Sequence, residues 1–217
     1  ITGLDLQRDE VIELGMISFS YDVDGNIGSV IDIFDALREP TRPISAEITR
    51  LTGISNEMVA GRIIDTGRLE TFLRPASLIV AHNAAFDRPM CEALSEAFAR
   101  KPWACSATEI NWRRFGFEGT KLAYILNQLG KFHSGHRAID DCIALLNILQ
   151  AQLADTNRSV LSELLACART TRYRISVIAN YEMRSMLKAR GYRWFPGGGG
   201  RSRSWWIEVD EQRQPEE

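Results

Sequence analysis

The 217-residue chain is predicted to be an α/β protein, a mixed sheet flanked by helices with a small α+β appendage behind it. Three observations predict this. Two strand-like segments near the start are joined by the turn-rich stretch Asp22-Val23-Asp24-Gly25-Asn26. Short apolar runs then alternate with segments of helical period, the pattern of a sheet covered by helices. From residue 172 onward, arginine and aromatic residues dominate, as in a separate small unit.

Taken in order, residues 10–20 alternate as a strand, and 22–26 form a hairpin turn because Asp, Gly and Asn tolerate the required backbone angles. A second strand follows over 29–34. Ser45 is the N-cap of a short helix through Leu51 that Gly53 stops, and Asp65 caps another through Phe72. The run 77–81 is a buried strand, 84–100 a helix, and 102–106 a short strand. Helices are expected over 121–129, 137–153 and 159–168, with breaks at Gly130 and at Asp155-Thr156-Asn157. The organisation is therefore a main domain over 1–155, a helical connector over 156–171, a basic aromatic-rich domain over 172–209 and an acidic tail over 210–217.

Composition sets limits on function. No apolar run approaches the ~20 residues that span a bilayer. Cys91, Cys105, Cys142 and Cys167 form no CxxC pair and lie in apolar stretches, which argues against a zinc site and for reduced, buried thiols in a cytoplasmic protein. Ile1 leads straight into strand-like sequence with no signal segment, and reads as a trimmed start. The formal charge of -2 conceals an asymmetry. Residues 169–203 hold nine Lys or Arg against Glu182, residues 204–217 hold five acids against one Arg, and 1–168 are left at -6. An acidic body with a basic appendage suits metal carboxylates in one and phosphate contacts in the other.

Two polar clusters carry the chemistry: His82-Asn83-Ala84-Ala85-Phe86-Asp87, just past a strand, and Gly135-His136-Arg137-Ala138-Ile139-Asp140-Asp141, opening a helix. Phosphodiester hydrolysis needs an activated water and a stabilised leaving oxygen, and two divalent metals held by carboxylates supply both. Asp87 and Asp141 are the carboxylates. His136, of a residue type that titrates near neutrality, is the base if it lies in the loop ahead of the helix. Taken singly, Asp87 is a first-turn helix acid, Asp140 is a surface residue, and His82 and His133 are ordinary loop histidines. Trp103, Trp112 and Phe117 read as core, and Arg113, Arg114 and Lys121 as a solvated face.

Together the clusters resemble the DEDDh, or DnaQ-like, 3′-5′ exonucleases. His136-Arg137-Ala138-Ile139-Asp140-Asp141 matches HxAxxD, Asn83-Ala84-Ala85-Phe86-Asp87 matches NxxFD, Leu51-Thr52-Gly53-Ile54 resembles the loop that meets the terminal nucleotide, and Thr2-Gly3-Leu4-Asp5 resembles the end of DxETTGLD. The resemblance covers roughly residues 1–153. It implies an RNase H-like fold, two Mg²⁺ or Mn²⁺ ions held by Asp87 and Asp141, and His136 as general base. It also places Thr2, Gly3, Leu51, Thr52, Asn83 and Phe86 along the substrate. The first motif's Asp and Glu have no counterpart here; aligned, they fall ahead of Ile1, and Asp5, Asp9 and Glu10 read as loop residues that do not replace them. The expected activity is removal of nucleoside monophosphates from single-stranded 3′ ends, DNA ahead of RNA, with a polymerase or repair enzyme as partner, no membrane, and a homodimer left open. The competing reading is a binding module that keeps the fold without catalysis.

In the appendage a strand is expected over 174–179, a helix over 182–190 and a hairpin of 192–195 with 204–209 around a mobile Gly197-Gly198-Gly199-Gly200 loop. Its arginines suit phosphates. Tyr192, Trp194 and Trp205 suit either base stacking or a small core, and sequence alone does not divide them.

Overall fold

A computed structural model of the chain describes residues 1–132, 135–154, 156–198 and 202–210. The chain divides into two compact units, 1–167 and 168–217.

In the first unit, β1 (Glu13–Tyr21) and β2 (Ile27–Leu37) form an antiparallel hairpin. Asp22 builds its turn by accepting from the backbone N–H of Asp24 and Asn26 and from the Asn26 amide. Gly25 adopts φ 81°, and a side chain there would strike the Ser162 backbone, so the turn needs glycine on both counts. Three short helices follow, α1 (Ala46–Thr52), α2 (Asn56–Val59) and α3 (Thr66–Leu73). Ser45 caps α1 through Ile48 N, Gly53 ends it in the left-handed region, and Asp65 caps α3 through Arg68 N, as the sequence predicts.

Strand β3 (Ile79–Ala81) then pairs in parallel with β4 (Trp103–Cys105) across α4 (Ala84–Leu94). Helix α4 is shorter than the predicted 84–100. Ser95 turns extended, and its Oγ accepts from Ala97 N, a local bond that competes with helix continuation. The remaining helices are α5 (Leu122–Gln128), α6 (Ala138–Gln150) and α7 (Val160–Arg169).

The hairpin and the parallel pair are separate in hydrogen bonding but contribute to the same two cores. One face of both packs on α5, α6 and α7 through Phe19, Ile27, Val80 and Ala104 with Ile125, Ile148 and Leu164. The other packs on α3 and α4 through Leu14, Phe34, Ile79 and Trp103 with Leu69, Leu73 and Met90. Val160, Leu161, Leu164 and Leu165 of α7 are buried in the first core, so the stretch expected as a connector contains a core helix of the first unit.

The second unit is a three-stranded antiparallel sheet, ordered β5 (Arg172–Val177), β7 (Ser204–Asp210), β6 (Arg193–Phe195), with α8 (Arg184–Ala189). Its core is Leu187, Tyr192, Trp205, Ile207 and Val209. The tail from 211 onward and Gly199 and Gly200 of the glycine loop lie outside the described residues. No helix among the described residues is long and apolar enough to cross a membrane.

Candidate active site

The site is built where the starts of α4 and α6 meet the sheet. Helix α6 is held against β1 by three contacts. The buried Glu13 carboxylate accepts from Arg137 Nε (2.8 Å) and Nη2 (2.6 Å) with one oxygen, and from Ala138 N (2.7 Å) with the other. One side chain thus satisfies a free N–H of the helix start and neutralises the cation beside it. Gly15 lets α6 pack directly on the strand, since a Cβ there would sit 2.6 Å from Ile139 N. The Cys142 thiol donates to the Gly15 carbonyl at 3.2 Å.

This clamp explains the turn ahead of α6. Gly135 and His136 are both left-handed, at φ 55° and 68°, and His136 is the only non-glycine with positive φ among the described residues. A β-carbon is disfavoured in that region, and the Glu13–Arg137 pair one residue later holds it there. His136 therefore belongs to the loop, as its predicted role requires, and it is exposed.

Helix α4 is held by neutral groups. His82 precedes it and spans two elements, Nε2 lying 2.6 Å from the Thr120 carbonyl and Nδ1 2.9 Å from Ser106 Oγ. A carbonyl only accepts, so Nε2 carries the proton, and in the neutral ring Nδ1 accepts from the serine hydroxyl. Burial lowers the His82 pKa against the opposing pull of Thr120 and of Asp141. Asn83 is the exposed N-cap residue of α4 and makes no capping bond with its side chain. Phe86 packs into the core beneath, which turns Asp87 to its place in the first turn.

Asp87 and Asp141 come within electrostatic reach of each other. The Asp87 carboxyl is held above the usual aspartate range first by burial and then by the Asp141 charge, against a lowering hydrogen bond from the Asn83 segment. The same field reaches two thiols. Burial, reinforced by Asp87 for Cys91 and by Asp141 and then Asp87 for Cys142, pushes both up to about 12. Two carboxylates placed this near each other are suited to a shared cation. A hard divalent ion takes about six oxygens, and among the described residues no group of three or more His, Cys, Asp or Glu side chains could hold a metal. The pair fits as part of a cation site that further oxygens complete, and by itself it is not a two-metal centre.

The other expected substrate residues are held by contacts of their own. Thr2 Oγ1 donates to Asp9 Oδ1 (3.0 Å) and accepts from Glu10 N (2.9 Å), while Asp9 Oδ2 accepts from Asp5 N (2.8 Å). Gly3 has no room for a side chain, because a Cβ would lie 2.4 Å from Asp9 Oδ2. Asp9 organises this loop, a role its sequence position does not announce. Leu51 projects from α1, 51% exposed, next to Thr52, whose hydroxyl donates to Ile48 O and accepts from Ile54 N. Sequence reasoning passes over Glu13, and it reads His82 as an ordinary loop histidine where the structure gives it bonds to Thr120 and Ser106. A carboxylate between Ile12 and Leu14 of a buried strand was the available signal, since such a group requires a partner.

Comparison with known proteins accords with the motifs. DNA polymerase III PolC-type of Thermotoga maritima is 33% identical over 156 residues, 64% of this chain and 10% of that protein. The Bacillus subtilis protein of the same description is 40% identical over 88 residues, 40% of this chain and 6% of that protein. The chain thus spans about a tenth or less of these relatives. Among solved structures, Exonuclease X in complex with 5′ overhanging duplex DNA superposes with a TM-score of 0.49 at 21% identity, covering 77% of this chain and 85% of that one. The family model described as Exonuclease matches residues 1–149, and with the ordered NxxFD and HxAxxD motifs on a mixed α/β unit, the chain belongs to the DnaQ-like exonuclease family.

Proposed function

We propose that this chain is a metal-dependent 3′-5′ exonuclease that releases nucleoside monophosphates from single-stranded 3′ ends, DNA ahead of RNA. The observation that carries the reading is that Asp87 and Asp141, each from its own motif, sit half-buried in the first turns of α4 and α6, near enough for the Asp141 charge to bear on Asp87. Asp87 and Asp141 hold divalent ions, Mg²⁺ or Mn²⁺, through carboxylate oxygens. Bound there, such ions neutralise phosphate charge and lower the pKa of water. His136, exposed on its left-handed turn, takes the proton of the attacking water on an imidazole nitrogen. Leu51 packs against the terminal base, with the Thr2-Gly3 backbone, Thr52 and Asn83 bounding the 3′ nucleotide and Phe86 supporting the site from the core beneath. A replicative polymerase is the proposed partner, on the strength of the relatives' descriptions.

The first motif's two acids have no counterpart within residues 1–217, so two forms are needed: the chain as it stands, and the chain extended ahead of Ile1 by a strand ending in Asp-x-Glu. Each is incubated with a 5′-labelled single strand and Mn²⁺. Stepwise shortening from the 3′ end is expected in the extended form. His136→Ala should slow it by about 10²-fold or more, the usual contribution of a general base, and Asp141→Ala should abolish it. Retained binding with no shortening in either form under any divalent metal would establish the non-catalytic module instead.

A further inference from the structure

The second unit contains a surface that its core does not explain. In the β5-β7 and β6-β7 registers, Ile175, Val177, Trp205, Ile207 and Val209 alternate onto the packed face. Arg174, Ser176, Trp206, Glu208 and Arg193 alternate onto the other. Adjacent tryptophans on one strand must face opposite ways. Trp205 is the buried one, at 6% exposure, and Trp206 lies on the solvent face.

Two cations flank that outward ring. The Arg174 guanidinium carbon lies 4.0 Å from the Trp206 ring centroid, and that of Arg193, directly across the register, lies 5.5 Å away. Both arginines are exposed. A guanidinium stacked on indole keeps its N–H donors in its own plane, pointing outward from the stack. The stack is a flat aromatic and cationic layer, preorganised and rimmed by donors. Arg169, Arg172, Arg184, Lys188, Arg190, Arg201 and Arg203 add positive charge in the same stretch.

We propose that this outer face of the β5-β7-β6 sheet binds single-stranded nucleic acid, with Trp206 and its stacked arginines receiving a base and the guanidinium edges meeting phosphates. Single-stranded recognition suits a flat sheet better than duplex recognition does, because only unstacked bases offer a free face. The acid on this face, Glu208, stands opposite Arg174 and works against the strand. Tyr192 and Trp205, which sequence left between stacking and packing, belong to the core. Trp194 rests 5.4 Å from Trp205 and is half exposed at its edge.

The test is equilibrium binding of a fluorescein-labelled thymidine 20-mer to the full chain, in EDTA so that hydrolysis does not intervene, across a salt series. The Arg174→Gln/Arg193→Gln variant should weaken binding and reduce the log–log salt slope by about 1.4, two phosphate contacts at ~0.7 each for a single strand. Trp206→Ala should weaken binding about tenfold, Trp206→Phe should restore most of it, and Glu208→Gln should tighten it. Melting curves establish that each variant is folded, and the arginine pair, lying outside the core, serves if Trp206→Ala does not fold. Asp141→Asn should leave these effects in place, which separates this site from the exonuclease reading: hydrolysis can fail while the face still binds. An unchanged affinity and slope in the double arginine variant would overturn the proposal, as would binding to phosphatidylserine vesicles or polyglutamate in preference to the oligonucleotide.

Discussion

Glu13 and Asp87 are both carboxylates withdrawn from water within one unit, and they are treated in opposite ways. Glu13 is given a guanidinium and a helix-start N–H, which use both its oxygens. Asp87 is given burial and a second carboxylate, against a single lowering hydrogen bond among the described residues, from the Asn83 backbone. A fold that completes one buried acid and leaves another in conflict uses the first to hold structure and the second for something that arrives later. This contrast, more than either motif alone, separates the scaffold of the site from its chemistry.

The largest expected effect comes from breaking the completed acid. Glu13→Ala leaves Arg137 and Ala138 N without their partner and should cost about 3 kcal/mol, the low end for a broken buried pair because Arg137 is 35% exposed. In a chain of this size that is a fall in melting temperature of roughly 6–12 °C. The second substitution Arg137→Gln should then cost much less than it does alone, since the pair is already gone. Additive losses in that cycle, measured by denaturant titration, would mean that Glu13 merely fills space. His136 should also lose its left-handed turn in Glu13→Ala, so hydrolysis should fall further than stability accounts for.

A smaller effect is expected at the neutral clamp. His82→Ala removes bonds to Thr120 and Ser106 and should cost about 1–3 kcal/mol at pH 7.5. Burial depresses the His82 pKa, so its contribution is complete above the usual histidine value and is lost as pH falls through the lower folded value. Wild type should therefore lose more stability than His82→Ala on going from pH 7.5 to pH 5. Parallel curves would remove His82 from the account of acid stability. The comparison between clamps is then explicit: the Glu13 clamp is electrostatic, and the His82 clamp is hydrogen-bonded and sensitive to acid.

Particular residues show what the sequence makes legible. Caps and turns follow from local chemistry, so Ser45, Gly53, Asp65 and the 22–26 turn are readable from neighbours alone. The two motifs are readable because their spacing is fixed by the elements that bear them. What is hidden is long-range. Glu13 meets Arg137 across 124 positions and His82 meets Thr120 across 38, and no local pattern encodes either pairing. The choice between Trp205 and Trp206 depends on strand register, which a one-residue slip would invert. The premature end of α4 depends on a serine side chain bonding its own loop, which periodicity cannot anticipate.

The smallest and most discriminating effect concerns Asp87 itself. An acid in a first helical turn is ordinarily stabilising, by about 0.3–1 kcal/mol, through the helix dipole. Were that its role here, its pKa would be lowered; burial and Asp141 instead raise it. A carboxyl whose folded pKa is raised contributes most stability below the usual aspartate range and loses it as pH rises through the folded value. In metal-free protein at pH 7.5, ionised Asp87 is thus a burden, and the nearly isosteric Asp87→Asn should raise the melting temperature of the fold. The gain should shrink as pH falls and the wild-type carboxyl takes up its proton. Hydrolysis should disappear in the same variant, because an amide is a poor substitute for a carboxylate on a hard cation. A variant more stable and inactive is the signature of a residue kept for chemistry at the expense of stability. An Asp87→Asn that melts below wild type at pH 7.5 would return Asp87 to the helix as a structural acid and take with it the contrast to Glu13.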